Sequence, residues 1–208
     1  MVQAAERYIS EEAYLELEER AETKHEYFHG RIYAMAGAKE AHNLISVNVA
    51  GELRQQFKGK PCRAYSNDMR VLVSKTKLYT YPDVIAVCGE PVFANRNRTT
   101  LLNPTVIVEV LSEATESYDR GEKFAHYRTL ETLTDYILMA QDKMRLEHYV
   151  RQPDERWMLT IVSDPQGVLE IESIGCLLRM TDVYEKVEFD IINGAALPLR
   201  PNLESSEE

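Results

Sequence analysis

Three side chains in the middle of this 208-residue chain are of the types that cleave phosphodiester bonds. Asp83 follows Pro82 at the mouth of the apolar run Val84-Ile85-Ala86-Val87, Glu109 sits inside Val106-Ile107-Val108-Glu109-Val110-Leu111, and Lys123 comes soon after. A phosphodiester is hydrolysed by in-line attack of water. Such a site needs a cation against the phosphate oxygens, carboxylates to hold it and orient the water, and often an ammonium beside the developing charge. An ionised Glu109 within an apolar strand is costly unless something compensates it. A divalent cation shared by Asp83 and Glu109 would do so. Mg²⁺ takes hard oxygen ligands, often one or two carboxylates with several waters, and Mn²⁺ is the expected substitute.

The elements that must position these groups are legible around them. Residues 79–87 and 104–112 read as buried strands, separated by a loop marked by Gly89, Pro91, Asn95 and Asn97. Upstream, Ser10 is placed to cap a helix over 11–21. Residues 25–37 read as two strands around a turn at His29-Gly30, with Glu26 on the first. Leu44, Val47, Leu53 and Phe57, joined by Ala41, Ile45 and Ala50, predict the main packing helix over 40–57, with His42 in its first turn. Short β-like runs at 62–65, 69–73 and 78–79 lead into the Asp83 strand. After Glu109, residues 112–118 read as a loop, and Asp119 as the cap of a helix carrying Lys123, Phe124, Tyr127 and Leu130. Residues 135–140 read as a buried strand, 144–150 and 157–162 as an antiparallel pair, followed by a strand at 168–173 and an apolar segment at 176–178.

Taken in order, Pro82-Asp83, then Glu109 in an apolar strand, then a lysine, resemble the PD-(D/E)XK nuclease superfamily. That superfamily usually places its lysine where this chain has Leu111, and the nearest substitute is Lys123 on the following helix. A branch with a displaced lysine, the Uma2-like restriction endonuclease-like proteins abundant in cyanobacteria, is similar from Tyr14 to about Val150. The matching pieces are Lys24-His25-Glu26-Tyr27-Phe28-His29-Gly30-Arg31-Ile32-Tyr33-Ala34-Met35, His42, Tyr81-Pro82-Asp83-Val84, Val108-Glu109-Val110-Leu111-Ser112, and Asp119 with Lys123 and Tyr127. The resemblance implies an α/β fold with a central mixed β-sheet flanked by helices and additional antiparallel strands toward the C-terminus. It also implies Asp83 and Glu109 as metal ligands and Lys123 as the basic catalytic group. Glu26 would be a supplementary acid near the metal or its water, and His42 a supporting polar or substrate contact.

Composition sets the wider limits. No Pro/Gly/Ser-rich linker divides the chain, which reads as one domain over 1–197 with a disordered acidic tail over 198–208. A formal charge of −10 excludes a strongly basic nucleic-acid-coating protein. The charge is uneven: residues 39–98 hold 10 basic and 5 acidic side chains, residues 99–208 hold 10 and 21, so a polyanion would approach the earlier segment. No apolar run is long enough to cross a bilayer, and the first ten residues lack the apolar core of a signal peptide, which places the chain in the cytoplasm with no membrane partner. Cys62, Cys88 and Cys176, odd in number and far apart, read as reduced core thiols rather than a disulfide framework or zinc site. DNA is the expected partner, and a homodimer is expected by analogy with enzymes that bring one site to each strand.

Each residue also has an ordinary reading. Asp83 suits a strand entry, Glu109 a structural salt bridge to Lys123 or an arginine, and Glu26 a surface charge. His42 suits a local hydrogen bond, Lys123 an exposed helix position, and Tyr127, one turn on, packing at the core edge. Three functions follow from these choices. The leading one is a metal-dependent endonuclease hydrolysing DNA. The second is a catalytically degenerate nuclease-fold module acting in binding or assembly, toward which the missing strand lysine and the acidic balance lean. The third is a structural β-rich partner domain in which Glu109 pairs with a buried base.

Overall fold

The computed structural model describes residues 8–189, so the tail expected from 198 lies outside the described residues. Its centre is a six-stranded mixed sheet in the order β11-β10-β9-β8-β6-β3. These strands are β3 (Cys62–Ser66), β6 (Val84–Cys88), β8 (Val106–Leu111), β9 (Asp135–Ala140), β10 (Leu146–Arg151) and β11 (Trp157–Val162). Every residue of β8 and β9 is buried, as strands covered on both faces must be. These two run parallel, in register from Val106 with Asp135 to Leu111 with Ala140, and the other neighbours in the sheet are antiparallel. A parallel pair needs a crossover, and here it contains the helical segment α3 (Glu116–Tyr118), a π turn (Asp119–Lys123) and α4 (Phe124–Tyr127).

One face of the sheet packs against α2 (Glu40–Gln56), the hairpin β12 (Val168–Ile171) and β13 (Cys176–Arg179), and the short α5 (Met180–Val183). The side of α2 that enters this core is Ile45, Val49 and Leu53, spaced one turn apart, whereas Val47, expected to face inward, is 61% exposed. The opposite face packs against Phe124 and Tyr127 of α4 and against a second sheet, ordered β2-β1-β5-β4-β7. Its strands are β1 (His25–Phe28), β2 (Arg31–Ala34), β4 (Arg70–Val73), β5 (Leu78–Thr80) and the two-residue β7 (Thr100–Leu101). The His29-Gly30 turn has both residues at positive φ, 48° and 80°, the backbone that a tight hairpin demands. α1 (Glu11–Glu18), capped by Ser10, closes this side and buries Tyr14 against Tyr27 and Tyr79.

The mixed sheet with flanking helices and C-terminal antiparallel strands matches expectation, and three local readings need correction. Cys62 and Cys88 are register partners on β3 and β6 and form a disulfide, leaving Cys176 as the buried free thiol. Their 26-residue separation hides this pairing, because β4 and β5 leave for the second sheet between them. The segment read as a loop over 112–118 is already helical at Glu116, so Asp119 lies inside the helix, 3% exposed, and is not its cap. α1 stops at Glu18, three residues before the expected end. Among the described residues no helix is long and apolar enough to cross a membrane.

Candidate active site

Glu109 shares a sheet face with Ile107 and Leu111, because strand side chains alternate, and this face meets the crossover helix. A π turn holds more residues per turn than an α-helix. Where this one gives way to α4, Asp119, Lys123 and Tyr127 present themselves together toward the strand. The Lys123 ammonium is 2.9 Å from Glu109 Oε1 and 3.5 Å from Asp119 Oδ1. The Tyr127 hydroxyl donates to the same Glu109 Oε1 at 2.8 Å. The Asp119 backbone carbonyl, inside the widened turn, accepts from the Tyr136 hydroxyl at 3.0 Å.

Two further acids complete the cluster. Glu26, on β1 in the second sheet, lies 3.2 Å from the Lys123 ammonium and accepts from the Thr80 hydroxyl on β5. Asp83 stands just before β6, whose Val84 pairs with Val108, so its carboxylate reaches past that pair. There it accepts the Val110 backbone N–H at 2.8 Å, on the residue next to Glu109. His42 Nε2, from the first turn of α2, lies 3.2 Å from the same Asp83 oxygen. All five residues singled out from the sequence are therefore linked. Asp83, Glu109, Lys123 and Glu26 occupy one end of the sheet, and His42 joins through Asp83.

The electrostatics follow from burial. Glu109 is 4% exposed, and desolvation pushes its pKa up to about 8; Lys123 opposes this, while Asp119 and Asp83 add to it. Burial raises Asp119 in the same way, against the pull of Lys123. For Lys123, 6% exposed, desolvation favours the neutral amine, but Glu109, Tyr127, Glu26 and Asp119 outweigh it and hold the ammonium well above the usual lysine value. It is a fixed positive charge.

A divalent cation fits this donor set. Glu26, Glu109 and Asp119 place three carboxylates around one ammonium, with Asp83 bonded to the backbone beside Glu109; burial first, then the charges of Asp119 and Asp83, push Glu109 toward its protonated form, which a cation would reverse. Asp83 and Glu109 each have one oxygen occupied by protein donors. Among the described residues no group of three or more His, Cys, Asp or Glu side chains is disposed to hold an ion. An ion here would rest on Asp83 and Glu109 alone, with water filling the rest of its shell.

Three further partners belong to the cluster: Asp119, which is not a cap, Tyr127, which does more than pack, and Thr80, which carries no sequence signal of its own. The Asp119, Lys123, Tyr127 spacing of four was the available signal. Tyr118, whose ring lies 5.9 Å from the Lys123 ammonium, lines the same cluster.

The fold and the acid–lysine cluster define a protein of the restriction endonuclease-like class. Residues 11–181 match the model of the Uma2 family, described as "Putative restriction endonuclease", and the chain belongs to that family. Two uncharacterized proteins of Synechocystis sp. (strain ATCC 27184 / PCC 6803 / Kazusa) are similar along nearly their whole length. The protein sll1609 is 34% identical over 170 residues, 82% of this chain and 96% of its own. The protein slr1290 is 35% identical over 182 residues, 87% of this chain and 94% of its own. A crystal structure from Anabaena variabilis ATCC 29413, described as "a putative nuclease belonging to DUF820", shares the fold with a TM-score of 0.69. It is 17% identical and covers 83% of this chain and 96% of that one.

Proposed function

We propose that this chain is a divalent-cation-dependent endonuclease that hydrolyses DNA phosphodiester bonds, working in the cytoplasm as a single nuclease-like domain paired in a homodimer. The observation that carries this reading is the buried meeting of a strand-entry acid, a strand acid and a helix amine at one end of the sheet. Asp83 and Glu109 would hold Mg²⁺, or Mn²⁺ in its place. When bound, the cation neutralises phosphate oxygens and lowers the pKa of water near the phosphorus. Lys123, being permanently charged, cannot accept the proton of the attacking water, which would pass to the neighbouring Glu26 carboxylate; the amine would instead donate hydrogen bonds to that water or to a phosphate oxygen as charge accumulates. Tyr127 and Asp119 fix the amine and Glu109 relative to each other, and Glu26 closes the other side. His42 and the Val110 N–H orient Asp83. The net positive segment 39–98 offers the approach for a polyanion.

The test is cleavage of supercoiled and linear DNA with Mg²⁺, Mn²⁺ or EDTA. Asp83→Ala and Glu109→Ala are each expected to lower the metal-dependent rate at least about 100-fold while the protein stays folded. Full activity in either variant overturns the assignment.

The enclosure of the Lys123 amine by three carboxylates favours a second reading, in which the cluster is a closed ion network within a degenerate module used for binding or assembly. Titration calorimetry separates the two. An absence of both Mg²⁺ binding and cleavage in the wild type supports the module.

A further inference from the structure

β11 ends the order of the central sheet, so one whole side of its backbone has no strand beside it among the described residues. Sheet edges of this kind are usually blunted by lysine, proline or a bulge. This one reads Trp157-Met158-Leu159-Thr160-Ile161-Val162 without any of them. Met158, Leu159 and Ile161 are 53%, 44% and 46% exposed, which puts large apolar side chains in water on both faces of the strand.

The register fixes which backbone groups point outward. Gln152 N–H donates to the Arg156 carbonyl at 2.7 Å, so this is a hydrogen-bonded pair. Continuing the β10–β11 register from it, Met158, Thr160 and Val162 also exchange their bonds with β10. Trp157, Leu159 and Ile161 therefore direct their N–H and C=O groups away from the sheet.

We propose that this edge joins two copies of the chain, β11 pairing antiparallel with its own copy about a two-fold axis through Thr160. In that register Leu159 of each copy faces Ile161 of the other, with their outward N–H and C=O groups in reciprocal bonds, and Met158 faces Val162 across the axis. The ends are complementary as well. Arg156 of each copy meets Asp164 of the other, a basic residue on one side of the strand and an acidic residue on the other. Arg156 now rests on Asp154, an exposed pairing that is cheap to exchange. A self-complementary contact of this kind closes at two copies. The inference locates the paired state proposed above but does not depend on the chemistry, so sedimentation and cleavage can fail separately.

The experiment is analytical ultracentrifugation of the full chain across micromolar concentrations, together with cross-linking. The wild type is expected to sediment as a dimer. Arg156→Asp should weaken its association about fivefold or more by setting like charges opposite each other, and adding Asp164→Arg should restore it to within about twofold. Thr160→Cys tests the axis itself. Cys176 is buried and Cys62 is bonded to Cys88, so a new thiol at 160 is the accessible one, and a mild oxidant should join two copies at that position. These positions are exposed, and a circular dichroism melt close to that of the wild type keeps loss of folding from imitating loss of pairing. A monomeric wild type overturns the proposal. So does a dimer that Thr160→Cys fails to cross-link, or one in which the charge exchange fails to restore what Arg156→Asp removes.

Discussion

Replacing Lys123 with methionine removes the cation that Glu26, Glu109 and Asp119 all contact while nearly keeping the volume of the side chain. Glu26, Glu109 and Asp119 would then face one another in a pocket where Glu109 is 4% exposed and Asp119 is 3% exposed. Breaking a buried ion pair from one side costs about 3–5 kcal/mol, because the charge left behind can neither hydrate nor find a partner. In a 208-residue chain each kcal/mol lowers the melting temperature by about 2–4 °C, so Lys123→Met in EDTA is expected to melt about 6–20 °C below the wild type. Glu109→Gln behaves differently on the same reasoning. It replaces a carboxyl that burial already pushes toward its neutral form, the new amide oxygen can still accept from Lys123 and Tyr127, and Lys123 keeps Glu26 and Asp119. Its melting temperature in EDTA should lie within about 4 °C of the wild type. Divalent cation supplies the third arm. At about 100 times its dissociation constant it should stabilise the wild type by about 2.7 kcal/mol, and Glu109→Gln by much less. Scanning calorimetry with EDTA, Mg²⁺ and Mn²⁺ reads all three. If Glu109→Gln falls as far as Lys123→Met, the carboxylates are not in surplus and Glu109 is simply half of a structural salt bridge. If no cation moves the wild type, the argument from charge balance fails.

Tyr127→Phe removes a 2.8 Å hydrogen bond to Glu109 from a buried hydroxyl, an interaction with a charged group worth about 1.5–3 kcal/mol. DNA cleavage should slow by about tenfold or more with DNA affinity unchanged, and an unaltered rate would remove Tyr127 from the site. Asp135 is pushed up by burial, but hydrogen bonds from His148, Ser173 and Thr134 outweigh this and hold it below the ordinary aspartate range. Its contribution is therefore complete above about pH 4 and lost as pH falls through the lower folded value; the stability deficit of Asp135→Asn, followed by urea unfolding, should be largest near neutrality and shrink in acid. Reducing the Cys62–Cys88 bond, which closes a loop of 26 residues, should cost about 3.5 kcal/mol in the chain-entropy account, and Cys62→Ser should reproduce that loss without reductant. Leu111 shares the sheet face of Glu109, so a lysine there can reach the cluster from the strand. Leu111→Lys combined with Lys123→Met should recover at least about tenfold of the cleavage lost in Lys123→Met alone, and no recovery in a folded double variant would show that the amine's origin matters.

How far the sequence could be read depended on whether a pattern was local. The β8 and β9 strands, the α2 helix and the β10–β11 pair each carry their own signal, an apolar run or a periodicity bounded by turn residues, and all appear where expected. The division into two sheets carries no such signal. β3 and β6 are neighbours in one sheet while β4 and β5, between them in the chain, belong to the other, and no residue spacing records that exchange. The same exchange concealed the disulfide. It also brings Glu26 to the site from the second sheet, across the interface with the first, a meeting that no spacing in the chain records.

The displaced lysine shows how a site can move along the chain yet keep its geometry. Four residues of an α-helix overshoot a full turn by about 40°, so in an unbroken α-helix Asp119, Lys123 and Tyr127 would fan progressively away from a single strand. A widened turn has more residues per turn and rotates the spacing of four the other way, so a π turn running into α4 cancels much of the drift. Lys123 and Tyr127 then reach the same oxygen of Glu109, and Asp119 stays within 3.5 Å of the amine. The Tyr136 hydroxyl from β9 donates to the Asp119 carbonyl and ties this turn to the sheet. A conventional strand lysine would need none of this. With Leu111 at that position, the charge comes from the helix, at an irregular turn that also bonds a tyrosine of the neighbouring strand. A backbone irregularity that reads as an ordinary helix in the sequence is therefore what makes Lys123 a member of the site.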